Sequence, residues 1–158
     1  MSGWRQGDLL TPEHAVELGL VHSERQETCR AVVISHSCDI AKPEELEPNV
    51  EVIVAAVVQE GTACNGQSIV KLHVPAKYSG STEWLELLIT EKQFIDKTRL
   101  LEFNPWAYKI PLKERGVLQR WLAQRYSRSA FPDQFNKWLN QTRVEHKLAR
   151  LAKKNSEA

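Results

Sequence analysis

Between Val50 and Val58 the chain is almost wholly β-branched, broken only by Glu51 and two alanines, and such a run predicts a strand. A second apolar run, Ala31 to Ile34, predicts a buried strand that opens directly into Ser35-His36-Ser37-Cys38-Asp39, small polar or reactive side chains in a row. Gly7 to Leu10 reads as a short first strand. Thr11-Pro12-Glu13 then has an N-cap followed by proline at the first helical position, which predicts a short helix through Leu18. Polar residues 22–28 and the acidic, proline-bounded stretch Pro43 to Asn49 are connections. Gln59 to Gln67, with Gly61, Asn65 and Gly66, predicts a hairpin loop leading into a strand from Ser68 to Val74, which Pro75 ends. Residues 76–83 read as loop, 84–89 as a further strand, and Phe94 to Leu100 as a short turn leading to Leu101 and Phe103.

After Pro105 the period lengthens. Val117, Leu118, Trp121, Leu122 and Tyr126 recur at helical spacing within 112–126, and Phe135, Trp138, Leu139, Val144, Leu148 and Leu151 do so within 131–152. Ser127 to Pro132 breaks the two helices, and 153–158 is expected to fray. The pattern predicts an α+β protein: a small, strongly curved antiparallel sheet or barrel over 1–105 and a basic helical extension over 106–158 packed on it.

A chain of 158 residues with 42% hydrophobic and 26% charged residues suits one well-buried core. No apolar run approaches the roughly 20 residues that cross a bilayer, and the first residues lack the apolar core of a signal peptide, so a cytoplasmic protein without a membrane partner is expected. The three cysteines, at no zinc-ribbon spacing, fit a reducing compartment. Charge is divided unevenly. Residues 1–105 carry 9 Lys+Arg against 16 Asp+Glu, a net of −7, whereas 106–158 carry 12 against 4, a net of +8. Such a basic segment fits a nucleic-acid partner or docking on an acidic surface of the same chain. Arg143, Lys147, Arg150 and Lys154, at steps of four, three and four, share one helix face and are the candidate nucleic-acid contacts; a solvated face is the plain alternative. The aromatics Trp106, Trp121, Phe131, Phe135 and Trp138 read as helix faces packing on the barrel.

Four features in order resemble the MazF/PemK (Kid) family of toxin endoribonucleases: Gly7-Asp8 opening the first strand, Arg30 leading the apolar strand that ends in Ser35, the Val-Ile-Val-Ala-Ala strand at 52–56, and Gln93-Phe94-Ile95-Asp96-Lys97-Thr98-Arg99-Leu100. The resemblance covers roughly 5–126. It implies an SH3-like antiparallel β-barrel with C-terminal helices, a homodimer, single-stranded RNA cut without a metal, and an antitoxin or other protein partner. It places the catalytic arginine at Arg30, whose guanidinium can donate two hydrogen bonds to a phosphate as its charge grows. This chain departs from the family in having Ala31 after that arginine instead of proline, and Val58 near the position of a catalytic threonine.

RNA cleavage through a 2′-hydroxyl needs a general base, a general acid and a phosphate clamp, and His36, Asp39 and Arg30 are of those types. On an extended chain Arg30 and His36 would lie up to about 20 Å apart, so one phosphate is gripped by both only through a bend or a second subunit. His36 and Asp39 equally suit a structural role, closing a turn. Cys38, two residues from His36, is a candidate nucleophile with His36 as its base, against the alternative of a small buried side chain. Zinc would need Cys29 from the other end of the strand, or Cys64 and His73 from another hairpin, so no metal and no other cofactor is expected. The resulting expectation is a nucleic-acid-binding protein, with metal-independent endoribonuclease activity of a toxin or phage-defence kind implied by the resemblance. The alternative is a non-catalytic interaction module whose degenerate barrel binds a protein partner.

Overall fold

β3 (Asn49–Val58) divides one of its edges between two partners, and the sheet curls around it. On its other edge it pairs antiparallel with β2 (Cys29–Val33), from Cys29 opposite Ala56 to Val33 opposite Val52. On the divided edge Ala56–Val58 pair with β5 (Ser81–Leu88), while Asn49–Ile53 pair with β6 (Lys92–Asp96). A single 3₁₀ turn, Ile89–Glu91, joins β5 to β6. β4 (Lys71–Tyr78) lies outside β5 and β1 (Leu9–Leu10) outside β2, giving the order β1-β2-β3-β5-β4. A strap of chain, 106–110, closes the curl between these outer strands: Lys109 exchanges backbone hydrogen bonds with Lys77 (2.9 and 3.0 Å) and bridges to Asp8, and Trp106 N donates to Leu9 O at 2.7 Å. The fold is α+β, a curled antiparallel half-barrel with a few helices. The computed structural model describes residues 3–25 and 29–127. Met1–Arg125 is one compact unit; the second, Tyr126–Ala158, lies almost entirely outside the described residues, and with it the helix expected at 131–152 and Arg143, Lys147, Arg150 and Lys154.

Both faces of β2 and β3 are covered, which accounts for apolar runs without polar alternation. Val32, Ile34, Ile53 and Ala55 face the concave side with Leu72, Val74, Leu85 and Leu87, and Leu118, Trp121 and Leu122 of α4 (Leu112–Ser127) pack into the same core. Ala31, Val33, Val50, Val52 and Val54 face the convex side. There they meet Ala15 of α1 (Pro12–Glu17), Ile40 of α2 (Ser37–Ala41) and Leu100 of α3 (Lys97–Leu100).

Three elements differ from the sequence reading. β4 does not end at Pro75 but runs through it to Tyr78. The neighbouring His73 N and Lys77 N donate outward, to Ala63 O and Lys109 O, so the missing N–H of Pro75 falls on the edge away from β5 and costs no bond to that strand. The expected loop at 76–83 is a tight hairpin instead, with Tyr78 opposite Ser81 and positive φ at both Ser79 (46°) and Gly80 (82°), the combination that matches strand twist in a two-residue turn. The expected turn after Gln93 begins as a strand, β6, whose Ile95 is buried on the convex side while Phe94 faces out.

Polar side chains pin the helices to this frame. Asp96 caps α3 by accepting from Thr98 N at 2.8 Å, Lys97 Nζ donates to the carbonyls of Asp39 (2.7 Å) and Lys42 (3.1 Å) at the end of α2, and Arg99 donates to Glu17 O at the end of α1 (2.9 Å). Gln93 Nε2 holds the following loop through Val21 O at 2.7 Å. At the other side, buried Asp8 accepts from Arg5 N and from Arg115 Nη2, both at 2.8 Å, while the same guanidinium donates to Ile110 O and Gln6 O. Gly7 makes room for it: φ is +88°, and an added Cβ would stand 3.3 Å from Arg115 Cγ. Arg115→Met removes the nearer of two cations paired with a buried carboxylate, the other being Lys109 at 3.5 Å, and is expected to cost about 2–4 kcal/mol. A lowered urea midpoint at unchanged m measures it; a loss below about 0.5 kcal/mol, the scale of an ordinary surface substitution, would mean that the Asp8 pin is dispensable.

Candidate functional site

Side chains alternate along a strand, so the rows that fill the concave core end at one rim. Leu72, Val74 and Ala76 lead to Tyr78, Leu87 and Leu85 to Glu83, and Ile34 and Val32 to Arg30. At that rim Arg30 Nε and Nη2 donate to the two carboxylate oxygens of Glu83, at 3.2 and 3.1 Å, a fork-to-fork pair with both side chains about one-fifth exposed. The Arg30 guanidinium also lies 5.3 Å from the ring centre of Trp106, within cation–π range. Trp106 and Tyr108, both from the strap, are 4.5 Å apart between centres, and Tyr108 is 5.8 Å from Tyr78. Three aromatic rings and one arginine–glutamate pair thus form a continuous row at the mouth of the half-barrel. Tyr78 is its open end, 53% exposed.

His36 and its neighbours stand elsewhere. Arg30 is the second residue of β2, and His36 follows the strand's far end, up to about 20 Å away along the chain. His36 is the N-cap of α2, where its Nδ1 accepts from Cys38 N at 3.3 Å, so the imidazole faces the backbone of Cys38 and not its thiol. Asp39 is ion-paired to Lys42 at 2.6 Å, and that hydrogen bond holds its carboxyl below the ordinary range. Cys38 is free and exposed. Ser35 Oγ accepts from Glu51 N at 2.7 Å, stitching the end of β2 to β3. Among the candidates that lie in described residues, Arg30 alone reaches the mouth; His36, Cys38 and Asp39 gather around α2. Among the described residues no three His, Cys, Asp or Glu side chains group as metal ligands.

The sequence reading missed Glu83, Tyr78 and Tyr108 and placed Trp106 with the helix aromatics. The signal for Glu83 and Tyr78 was the period of two running outward from Leu85 and Val74 across a Ser-Gly turn. A second polar cluster lies on the convex face of β4 and β5. There His73 Nδ1 accepts from Thr62 N (2.9 Å) and Ala63 N (3.2 Å), which leaves Nε2 to donate to Glu86 at 3.0 Å, and Lys71 pairs with the same carboxylate at 3.2 Å. These bonds latch the loop at 59–67 onto the sheet. Within that loop, burial first and the charge of Glu114 second push the Cys64 thiol up from its ordinary pKa, away from a reactive thiolate.

No family model, no curated protein and no solved structure matches this chain. Among the described residues no helix is long and apolar enough to cross a membrane.

Burial alone would raise the Glu86 carboxyl, but the bonds from His73 and Lys71 outweigh it and the group lies below its ordinary 4.5. Its contribution to stability is present above the unfolded pKa and is lost as pH falls through the lowered folded value. Glu86→Gln should therefore be less stable than the wild type near neutral pH, with the gap closing below about pH 4.5. Denaturation midpoints measured across that range check it, and a gap that widens in acid would contradict the assignment.

Proposed function

We propose that the mouth of the half-barrel binds single-stranded RNA, that Arg30 is its phosphate clamp, and that the protein is a divergent relative of the MazF/PemK endoribonucleases it resembles. The observation that carries this reading is the row Tyr78, Tyr108, Trp106, Arg30. Aromatic faces beside a guanidinium suit unstacked bases joined by phosphates, and suit them without regard to sequence. At the coarse level of a curled antiparallel sheet with a few helices, the fold is consistent with the small barrel that the resemblance implies.

Cleavage follows from the same pair. A phosphate entering the mouth competes with Glu83 for the Arg30 fork, and the displaced carboxylate is then free to act as a base. Glu83 takes the proton of the 2′-hydroxyl, the 2′-oxygen attacks phosphorus, the bond to the 5′-oxygen breaks, and that oxygen takes a proton from water, whose hydroxide then takes the proton from Glu83 and restores the carboxylate. The products are a 2′,3′-cyclic phosphate and a 5′-hydroxyl. Arg30 offsets the charge that grows on the phosphoryl oxygens, the role a metal plays in other nucleases.

One observation favours the non-catalytic reading instead. Val58, near the place where the family carries its threonine, is aliphatic and ends β3 opposite Trp84, and so offers neither a proton nor a hydrogen bond. Binding without cleavage is what a module that only holds RNA or a protein would show.

Binding and cleavage of a labelled single-stranded RNA, in the presence of a chelator, separate these readings. Tyr78→Ala should weaken binding by roughly ten- to a hundredfold, the loss of one stacked base. Glu83→Gln should keep binding while lowering cleavage by about 10² to 10⁴. Wild-type binding without any cleavage would support the module, and binding indifferent to Tyr78 and Arg30 would overturn the site.

A further inference from the structure

Away from the mouth, a cleft of about 520 Å³ opens beside α2, within the size range of small-molecule sites. Lys97 lines it while being only 1% exposed. An ammonium has three donors, and two of these go to the carbonyls of Asp39 and Lys42. Among the described residues no carboxylate pairs with it, since the nearby Asp39 side chain is committed to Lys42. Two carbonyls satisfy hydrogen bonds but do not cancel a charge, and a buried cation without an anion is a costly arrangement.

The walls indicate what would complete it. Trp4 gives its indole N–H to Phe103 O at 3.0 Å and so presents only carbon to the cleft, as do Ile40 and Leu101, the last 45% exposed. Ser37 Oγ accepts from Gln6 N at 3.2 Å and keeps its own proton to donate. With Lys42 already paired to Asp39, the lining carries Arg5 and Lys97 against Glu44 and Glu45 and has no surplus of positive charge. That balance favours a single negative charge over a multiply charged phosphate. We propose that this cleft binds a small monocarboxylate with an apolar body, the carboxylate on Lys97 Nζ and Ser37 Oγ and the body against Trp4, Ile40 and Leu101.

The test is a heteronuclear NMR titration of the full chain with hexanoate, octanoate and phenylacetate, with the matched alcohols hexanol, octanol and phenylethanol, and with inorganic phosphate. At least one acid should saturably shift the Trp4 indole N–H and the amides of Ser37, Ile40 and Lys97, binding about tenfold or more tightly than its alcohol, as a charge-assisted bond implies. Lys97→Met should abolish the preference for acid over alcohol. Should that variant fail to fold, Leu101→Glu carries the test, because it places a negative charge at an exposed position on the wall and should weaken acid binding by about tenfold with the fold intact. Equal binding of acids and alcohols, phosphate binding tighter than every acid, or no shift of these resonances by any acid would overturn the proposal.

Discussion

A strand buried on both faces, with one edge shared between two partners, cannot lie in a flat sheet, and β3 is such a strand. Its register with β5 at one end and β6 at the other curls the sheet until the outer strands can be joined by one short strap. The curl also decides where polar side chains emerge. Inside, apolar rows from three strands fill the core and leave Arg30, Glu83 and Tyr78 at a common rim. Outside, α1, α2 and α3 cover the convex face, and the cleft lined by Lys97 opens beside α2.

The polar contacts that hold this frame differ in their work. Asp8 with Arg115 joins α4 to the first strand, and Arg99 and Lys97 end α1 and α2 through backbone carbonyls. Arg30 with Glu83 is of another kind, because it joins two strands at a partly open rim where a competing anion can reach it. With both side chains about one-fifth exposed, the pair is partly buried yet still open on one side to solvent.

Much of the frame was legible in the sequence. β-branched runs marked β2 and β3, Thr11-Pro12 marked the start of α1, and the helical period marked α4. What the sequence hid depended on context. Pro75 reads as a stop unless its missing N–H is known to face the outer edge, and Ser79-Gly80 reads as loop because only their positive φ values make a hairpin. Glu83 and Tyr78 lay in the stretch thus misread, so only Arg30 of the rim could be named in advance. The stretch from Gln93 to Leu100, the most motif-like part of the chain, proves to be a set of helix pins. Its Asp96, Lys97 and Arg99 each satisfy backbone groups at a helix end.

The central claim is that the mouth, and not α2, is the nucleic-acid surface. Ultraviolet cross-linking of a single-stranded RNA to the full chain, with the attached peptides mapped by mass spectrometry, tests it most directly. The account predicts adducts on Tyr78 and on the strap at Trp106 and Tyr108, lost when excess unlabelled RNA competes. Adducts confined to the segment beyond residue 127, or around His36 to Asp39, would contradict it.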